Sequence, residues 1–233
     1  MKKVLYLLSI AIVAILGMCA CGNDKTDDPQ PKHDEVFIVK GVTITSEWDG
    51  QQFTFAYKFS YKNEKLFIVN YSMEGTETYT DTEEILDLYL PRHKFSEDNY
   101  VVRCDYPIRE NDKEGYNTYT WSKANLTEIK QKYQNQNYSH YDNESEITYS
   151  DIENKTNIDW AMFLYMHNNG NYNSPYYFSK DYLLNISKNI PNYFAGSYIK
   201  NVEIDEQGRL VAFTMEANQD DGDRTIEKFI IEY

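Results

Sequence analysis

The chain is poor in the residues that most often announce chemistry or covalent staples. It has three cysteines, Cys19, Cys21 and Cys104. The first two sit in an export segment, so Cys104 stands alone and no disulfide framework forms. In Val101-Val102-Arg103-Cys104-Asp105-Tyr106 it reads as a strand residue rather than a nucleophile. Histidine is as scarce: His33, His93, His140 and His167 have no partner four residues on and no metal-like grouping, so each reads as a surface residue. There is no Gly-x-Ser-x-Gly elbow, no phosphate-binding glycine loop and no cysteine–histidine signature. Carboxylates are so abundant that a pair such as Glu83 with Asp159 has no weight as a glycosidase dyad. The chain reads as non-enzymatic, without cofactor or metal.

Positive charge is the next deficit. Lys and Arg number 23 against 37 Asp and Glu, a formal net charge of −14. Loss of Lys2 and Lys3 with a leader makes the mature chain more negative still. Attraction to phosphate backbones is thereby excluded as a binding mode, and nucleic acid with it.

A single long apolar run is present, Val4 to Leu16, and it is too short to span a bilayer. With Lys2 and Lys3 before it and Gly17-Met18-Cys19-Ala20-Cys21 after it, the run has the order of a bacterial lipoprotein leader. Small Ala20 suits the position before a modified cysteine and bulky Met18 does not, so residues 1–20 read as the signal peptide and Cys21 as the lipidated residue. The implied partner is outer-membrane lipid, held by several acyl chains. Residues 21–35 carry Asp24, Asp27, Asp28, Pro29 and Pro31 and nothing apolar to bury, which makes them an acidic, flexible tether. A cysteine followed by small polar and acidic residues resembles the export signal of Bacteroidota surface lipoproteins. That resemblance implies an outer-membrane protein facing outward, the inward, periplasmic face being the alternative.

What the chain has in plenty is aromatic residues: 22 Tyr, 11 Phe and 3 Trp. Broad rings favour strands. Phe53, Phe55, Tyr57, Phe59 and Tyr61 alternate with small or polar residues, which puts five rings on one face of a strand. Phe229, Ile231 and Tyr233 alternate likewise, so the chain is expected to end inside a sheet. A unit of aromatic or aliphatic residue, polar turn, leucine and a further apolar residue recurs. Tyr61 to Leu66 leads to Val69, Trp121 to Leu126 leads to Ile129, and Ile204 to Leu210 leads to Phe213. Tyr141 to Ile147 is a degenerate fourth copy. Each reads as a hairpin tip, as does Asp220-Asp221-Gly222-Asp223, whose spacing does not suit a calcium loop. Residues 36–233 are therefore expected to be a single, mainly β domain. Its architecture is a twisted antiparallel sheet or open barrel built from hairpins as a meander, with one or two short helices packed on it.

Apolar residues at 158, 161, 162 and 165 predict a helix capped by Asn157, and Asp181 to Asn189 predicts a second one ended by Pro191. The hairpin ending Asp205-Glu206-Gln207-Gly208-Arg209-Leu210, with Asn157-Ile158-Asp159-Trp160 and Ser187-Lys188-Asn189-Ile190-Pro191, resembles the domain-of-unknown-function family numbered 4595 of Bacteroidota lipoproteins. The likeness covers roughly Thr45 to Tyr233 and implies a secreted, sheet-rich domain with no assigned activity. It supplies no catalytic residues.

The function read from these features is a surface-anchored binding or structural module for a glycan or a protein. Trp160, Tyr172, Tyr176 and Tyr177, beside a run of asparagines, are the candidate ligand contacts, because rings stack on sugar faces and anchor interfaces. The alternative is an envelope-assembly or lipid-carrier lipoprotein whose rings from Phe53 to Tyr61 line a concave face around an apolar ligand.

Overall fold

A computed structural model describes residues 36–48, 50–63, 65–74, 76–81, 93–105, 115–133, 143–169, 178–218 and 224–233. The expected tip at Asp220 to Asp223, Cys21 and its tether, and Tyr172, Tyr176 and Tyr177 lie outside the described residues.

The strands are β1 (Gly41–Trp48), β2 (Gln51–Lys62), β3 (Lys65–Met73), β4 (Thr76–Asp81), β5 (His93–Phe95), β6 (Val101–Asp105), β7 (Gly115–Ser122), β8 (Asn125–Tyr133) and β9 (Asn143–Glu153). Helices α1 (Trp160–Asn168) and α2 (Lys180–Leu183) follow, then β10 (Asn189–Phe194), β11 (Ser197–Ile204), β12 (Leu210–Asn218) and β13 (Arg224–Glu232). The sheet order is β4-β3-β2-β1-β13-β12-β11-β10-β9-β8-β7-β6-β5, and all pairings between these strands are antiparallel. Each strand lies beside its chain neighbours except β4 and β5, which do not pair, and the first strand pairs with the last through Val42↔Ile231 and Ile44↔Phe229. The meander is thus a ring opened between β4 and β5, its two edges. The mainly β expectation holds.

The alternation that predicts these strands sorts them by face. Tyr57 and Phe59 are buried while Lys58 and Ser60 are exposed; Phe229 and Ile231 are buried while Ile230 and Glu232 are exposed. The inner face meets α1. Every residue of α1 from Trp160 to His167 is buried, and a helix buried on all sides needs apolar residues all round. Trp160 packs edge-on against Phe213 of β12 at 5.7 Å. Phe163 packs against Tyr57 of β2 at 5.1 Å, and the Tyr165 hydroxyl donates to Asn117 Oδ1 of β7 at 3.1 Å. Three sectors of the ring therefore close on one helix, which fills the concave face.

The hairpin unit is a real structural repeat in two of its copies. Each has a bulge before its aromatic residue, between Ser60 and Tyr61 and between Thr120 and Trp121. Each pairs that aromatic with its leucine, Tyr61↔Leu66 and Trp121↔Leu126. Asn63 and Lys123 turn the corner with φ of 51° in both. Tyr61 donates its hydroxyl to the Val39 carbonyl at 2.6 Å, and Trp121 donates Nε1–H to the Val101 carbonyl at 2.6 Å. The third copy pairs Ile204 with Leu210 around a longer turn in which Gly208 takes φ of 83°, a conformation glycine adopts without a Cβ penalty.

Three expectations are corrected. The cap of α1 is Asp159, not Asn157, because the Asp159 carboxylate accepts the Met162 N–H at 3.1 Å, whereas Asn157 is drawn away to Val39 and Tyr61. The second helix stops at Leu183; Asn189 starts β10, and Pro191 lies within that strand between two register shifts, where no ladder N–H is required of it. The fourth hairpin copy is not a tip over its described part, since Asn143 to Ile147 are already in β9.

Candidate functional site

Three polar or concave features stand out, two at the ends of α1 and one between β-strand loops. The first caps its N-terminus. Asp159 is fully buried; one carboxylate oxygen accepts from Met162, and the other accepts from the Ser187 N–H at 2.7 Å and the Ser187 hydroxyl at 2.8 Å. Burial pushes this carboxyl's pKa up, against the pull of the Ser187 and Met162 N–H groups. Ser187 Oγ also accepts the Leu126 N–H at 3.2 Å, and the Tyr149 hydroxyl donates to the Leu126 carbonyl at 2.7 Å. The network ties the β7–β8 hairpin to the helix start. Sealed from solvent at Asp159, it is a fastening rather than a place for a reactant.

The second lies at the far end of α1. His167 Nδ1 is 2.8 Å from the Tyr57 hydroxyl, and Nε2 is 3.4 Å from Glu227 Oε1. A proton on Nε2 satisfies both contacts, with Tyr57 donating to Nδ1. Rings of Phe55 and Phe229 flank the imidazole at 5.3 and 6.1 Å. His93 is buried too. Both histidines correct the surface reading, since the strand and helix periods turn them inward. His33 and His140 lie outside the described residues. Among the described residues no group of three or more His, Cys, Asp or Glu is arranged to hold a metal ion.

The third feature is open. Between the loop 96–100, which joins β5 to β6, and the β7–β8 turn at Lys123 and Ala124 lies a cleft of about 360 Å³. Tyr100 and Trp121 line it, their ring centroids 4.7 Å apart and tilted by 38°. Ser96, Asp98, Ser122 and Lys123 add hydroxyls and charges of both signs at its margin, and buried Tyr119 closes it on the sheet side. Both walls are tied down. The Ser96 N–H donates to the Tyr100 carbonyl at 2.8 Å, and Asn185 donates to the Asp98 carbonyl at 2.8 Å. Across the cleft the Lys188 N–H donates to the Ala124 carbonyl at 3.0 Å. A second hollow of about 300 Å³, lined by Thr45, Glu47, Gly50, Gln52, Ile226 and Lys228, has no aromatic ring.

The sequence matches no protein-family model and no curated protein. Among solved structures it matches the crystal structure of a porin-like protein from Bacteroides uniformis, with 12% identity and a TM-score of 0.45, over 83% of this chain and 96% of that one. A likeness that distant carries no functional reading.

The expected contact residues fall differently from the sequence reading. Trp160 is 1% exposed, wedged between Phe163 and Phe213, and its Nε1–H donates to Thr156 Oγ1 at 3.1 Å. It is a core residue that no external ligand reaches. In the sequence Trp121 reads as part of a hairpin unit, and nothing local marks Tyr100 as its partner. A strand-end aromatic followed by Ser-Lys-Ala is a visible signal, but its partnership with Tyr100 depends on how β6 pairs with β7.

Proposed function

We propose that this chain is a lipid-anchored outer-membrane protein that displays a non-catalytic binding domain outward, for a glycan or protein ligand. The leader, the small residue before Cys21, the polar tether and the resemblance to Bacteroidota surface lipoproteins of family 4595 support the anchor and the address. The observation that carries the binding reading is the filled concave face. With α1 buried from Trp160 to His167 against β2, β7 and β12, the rings from Phe55 to Tyr61 serve as packing, which weighs against a lipid carrier. Ligand contact then falls to the open cleft, which offers fixed rings beside polar groups.

Two measurements on cells expressing the full chain test this. A fatty-acid probe is expected to label the protein, and Cys21→Ser to abolish the label and release the protein from the membrane. Protease added to intact cells is expected to degrade the domain. An unlabelled protein, or a Cys21→Ser variant that stays membrane-bound, would overturn the anchor; a protected domain would overturn the outward address.

A further inference from the structure

We propose that the cleft between Tyr100 and Trp121 is a saccharide-binding site that takes a neutral sugar ring. This rests on the binding reading above and names its ligand class. The Trp121 Nε1–H is committed to the Val101 carbonyl, so the indole cannot rotate away. The Tyr100 backbone is fixed by Ser96, whose Oγ accepts the Tyr100 N–H at 3.2 Å and whose own N–H reaches the Tyr100 carbonyl. Two half-buried rings are therefore held in one orientation before any ligand arrives, which lowers the ordering cost of binding.

The remaining lining decides the class. A sugar has an apolar face of C–H groups and a rim of hydroxyls that both donate and accept. The cleft has the complement: ring faces from Tyr100 and Trp121, an accepting carboxylate at Asp98, a donating ammonium at Lys123, and hydroxyls at Ser96 and Ser122. One charge of each sign leaves the margin balanced, and a chain of net charge −14 repels an anionic ligand at long range. The volume of about 360 Å³ lies at the small end of ligand pockets, ~300–1,000 Å³, and suits a ring or two rather than a folded partner.

The repeat sharpens this. In the first copy the aromatic residue equivalent to Trp121 is Tyr61, and its hydroxyl is covered by the chain itself, through Asn157 Nδ2 at 2.9 Å. In the second copy the aromatic faces the open cleft. Where the fold supplies an amide to the first ring, a ligand supplies its polar groups beside the second.

The test is calorimetric titration of the full-length mature lipoprotein in detergent with a panel of neutral oligosaccharides, alongside tryptophan fluorescence. Saturable binding is expected, with a fluorescence change on saturation. Tyr100→Ala should weaken binding by roughly tenfold or more, as expected on loss of an anchoring ring, and Tyr100→Phe should preserve it. Trp121→Phe should erase the fluorescence change while calorimetric binding persists, because a ring remains but the reporter is gone. If Tyr100→Ala does not fold, the Trp121→Phe result and Lys123→Asn, which suits the turn, decide the matter; Lys123→Asn should weaken binding. Binding unchanged in folded Tyr100→Ala or in Lys123→Asn, a fluorescence change that survives Trp121→Phe, or no saccharide bound at all would overturn the site. None of these outcomes touches fatty-acid labelling or protease access, so failure here is distinguishable from failure of the anchored-module reading.

Discussion

Tyr149 reaches Asp159 through a single intervening hydroxyl, that of Ser187. The Tyr149 hydroxyl lies 2.9 Å from Ser187 Oγ, which lies 2.8 Å from the Asp159 carboxylate. Burial, with the nearby Asp159 charge, pushes the Tyr149 hydroxyl well above its ordinary pKa, so it serves as a donor throughout the accessible pH range. Tyr149→Phe keeps the ring but leaves the Leu126 carbonyl without that donor. A loss of about 1–2 kcal/mol is expected in denaturant unfolding. Ser187→Ala removes three contacts and should cost more. The double variant should lose less than the two single losses combined, because the residues act in one network.

Trp160 gives the sharpest separation between a packing role and a binding role. It is 1% exposed and meets Phe163 and Phe213 edge-on. Trp160→Ala should lower stability by about 3–5 kcal/mol through the cavity it leaves. Trp160→Phe is expected to fold and to bind ligand as the parent does. A binding defect in folded Trp160→Phe, measured by calorimetry, would return this residue to the ligand site.

Much of the sheet was legible because strand patterning is local. The period-two alternation in β2 and β13, and the tips at Asn63, Lys123 and Gly208, follow from side-chain direction and turn chemistry alone. The closing of β1 on β13 was visible only as a chain end that looked like a strand. The helix follows from its apolar spacing, but its burial on every side does not, since that spacing looks the same on a surface helix and the enclosing sheet is tertiary. The same limit explains the site. Trp160 looked like a contact because indoles often are, and the ring pair of Tyr100 and Trp121 exists only through the pairing of β6 with β7. Pro191 marked a helix end on local rules, yet the bulge in β10 accommodates it.

Asp205 supplies a pH test. Its carboxylate accepts the Arg209 and Gln207 N–H groups at 2.9 Å each and pairs with Arg209 Nε at 2.6 Å. The hydrogen bond from the Arg209 backbone leads the causes that hold this carboxyl below its ordinary pKa, with burial opposing. The folded state therefore releases the proton more readily than the unfolded state does. Its contribution is fully present above the ordinary carboxylate pKa, about 3.9, and is lost as pH falls through the lower folded value. Asp205→Asn removes this titration. The melting-temperature gap between parent and variant should be constant near neutrality and shrink at acid pH below about 4. A gap that widens on acidification would contradict the assignment.

The strand β13 joins the two halves of the sheet, and this makes a short truncation informative. β13 lies between β1 and β12, so Phe229 and Ile230 serve two ladders at once, while Ile231 and Glu232 pair with β1. Phe229 is fully buried and stacks on Phe213 with centroids 4.4 Å apart and planes 12° apart. Ile231 faces Val42 across the ladder, and the Tyr233 hydroxyl donates to the Leu210 carbonyl at 2.9 Å. Deleting Phe229 to Tyr233 removes two buried side chains, worth roughly 1.5–3 kcal/mol each before any cavity term, and strips ladder bonds from both neighbours. Losses of that size approach the whole stability of an ordinary domain, about 5–15 kcal/mol. The truncated chain is expected to lose its cooperative melt, while Tyr233→Phe alone should lose only the Leu210 bond, about 1 kcal/mol. A truncated chain that melts at the parent temperature would mean that β1 and β12 hold their places without the end of β13, and the role given to β13 as the join between them would be wrong.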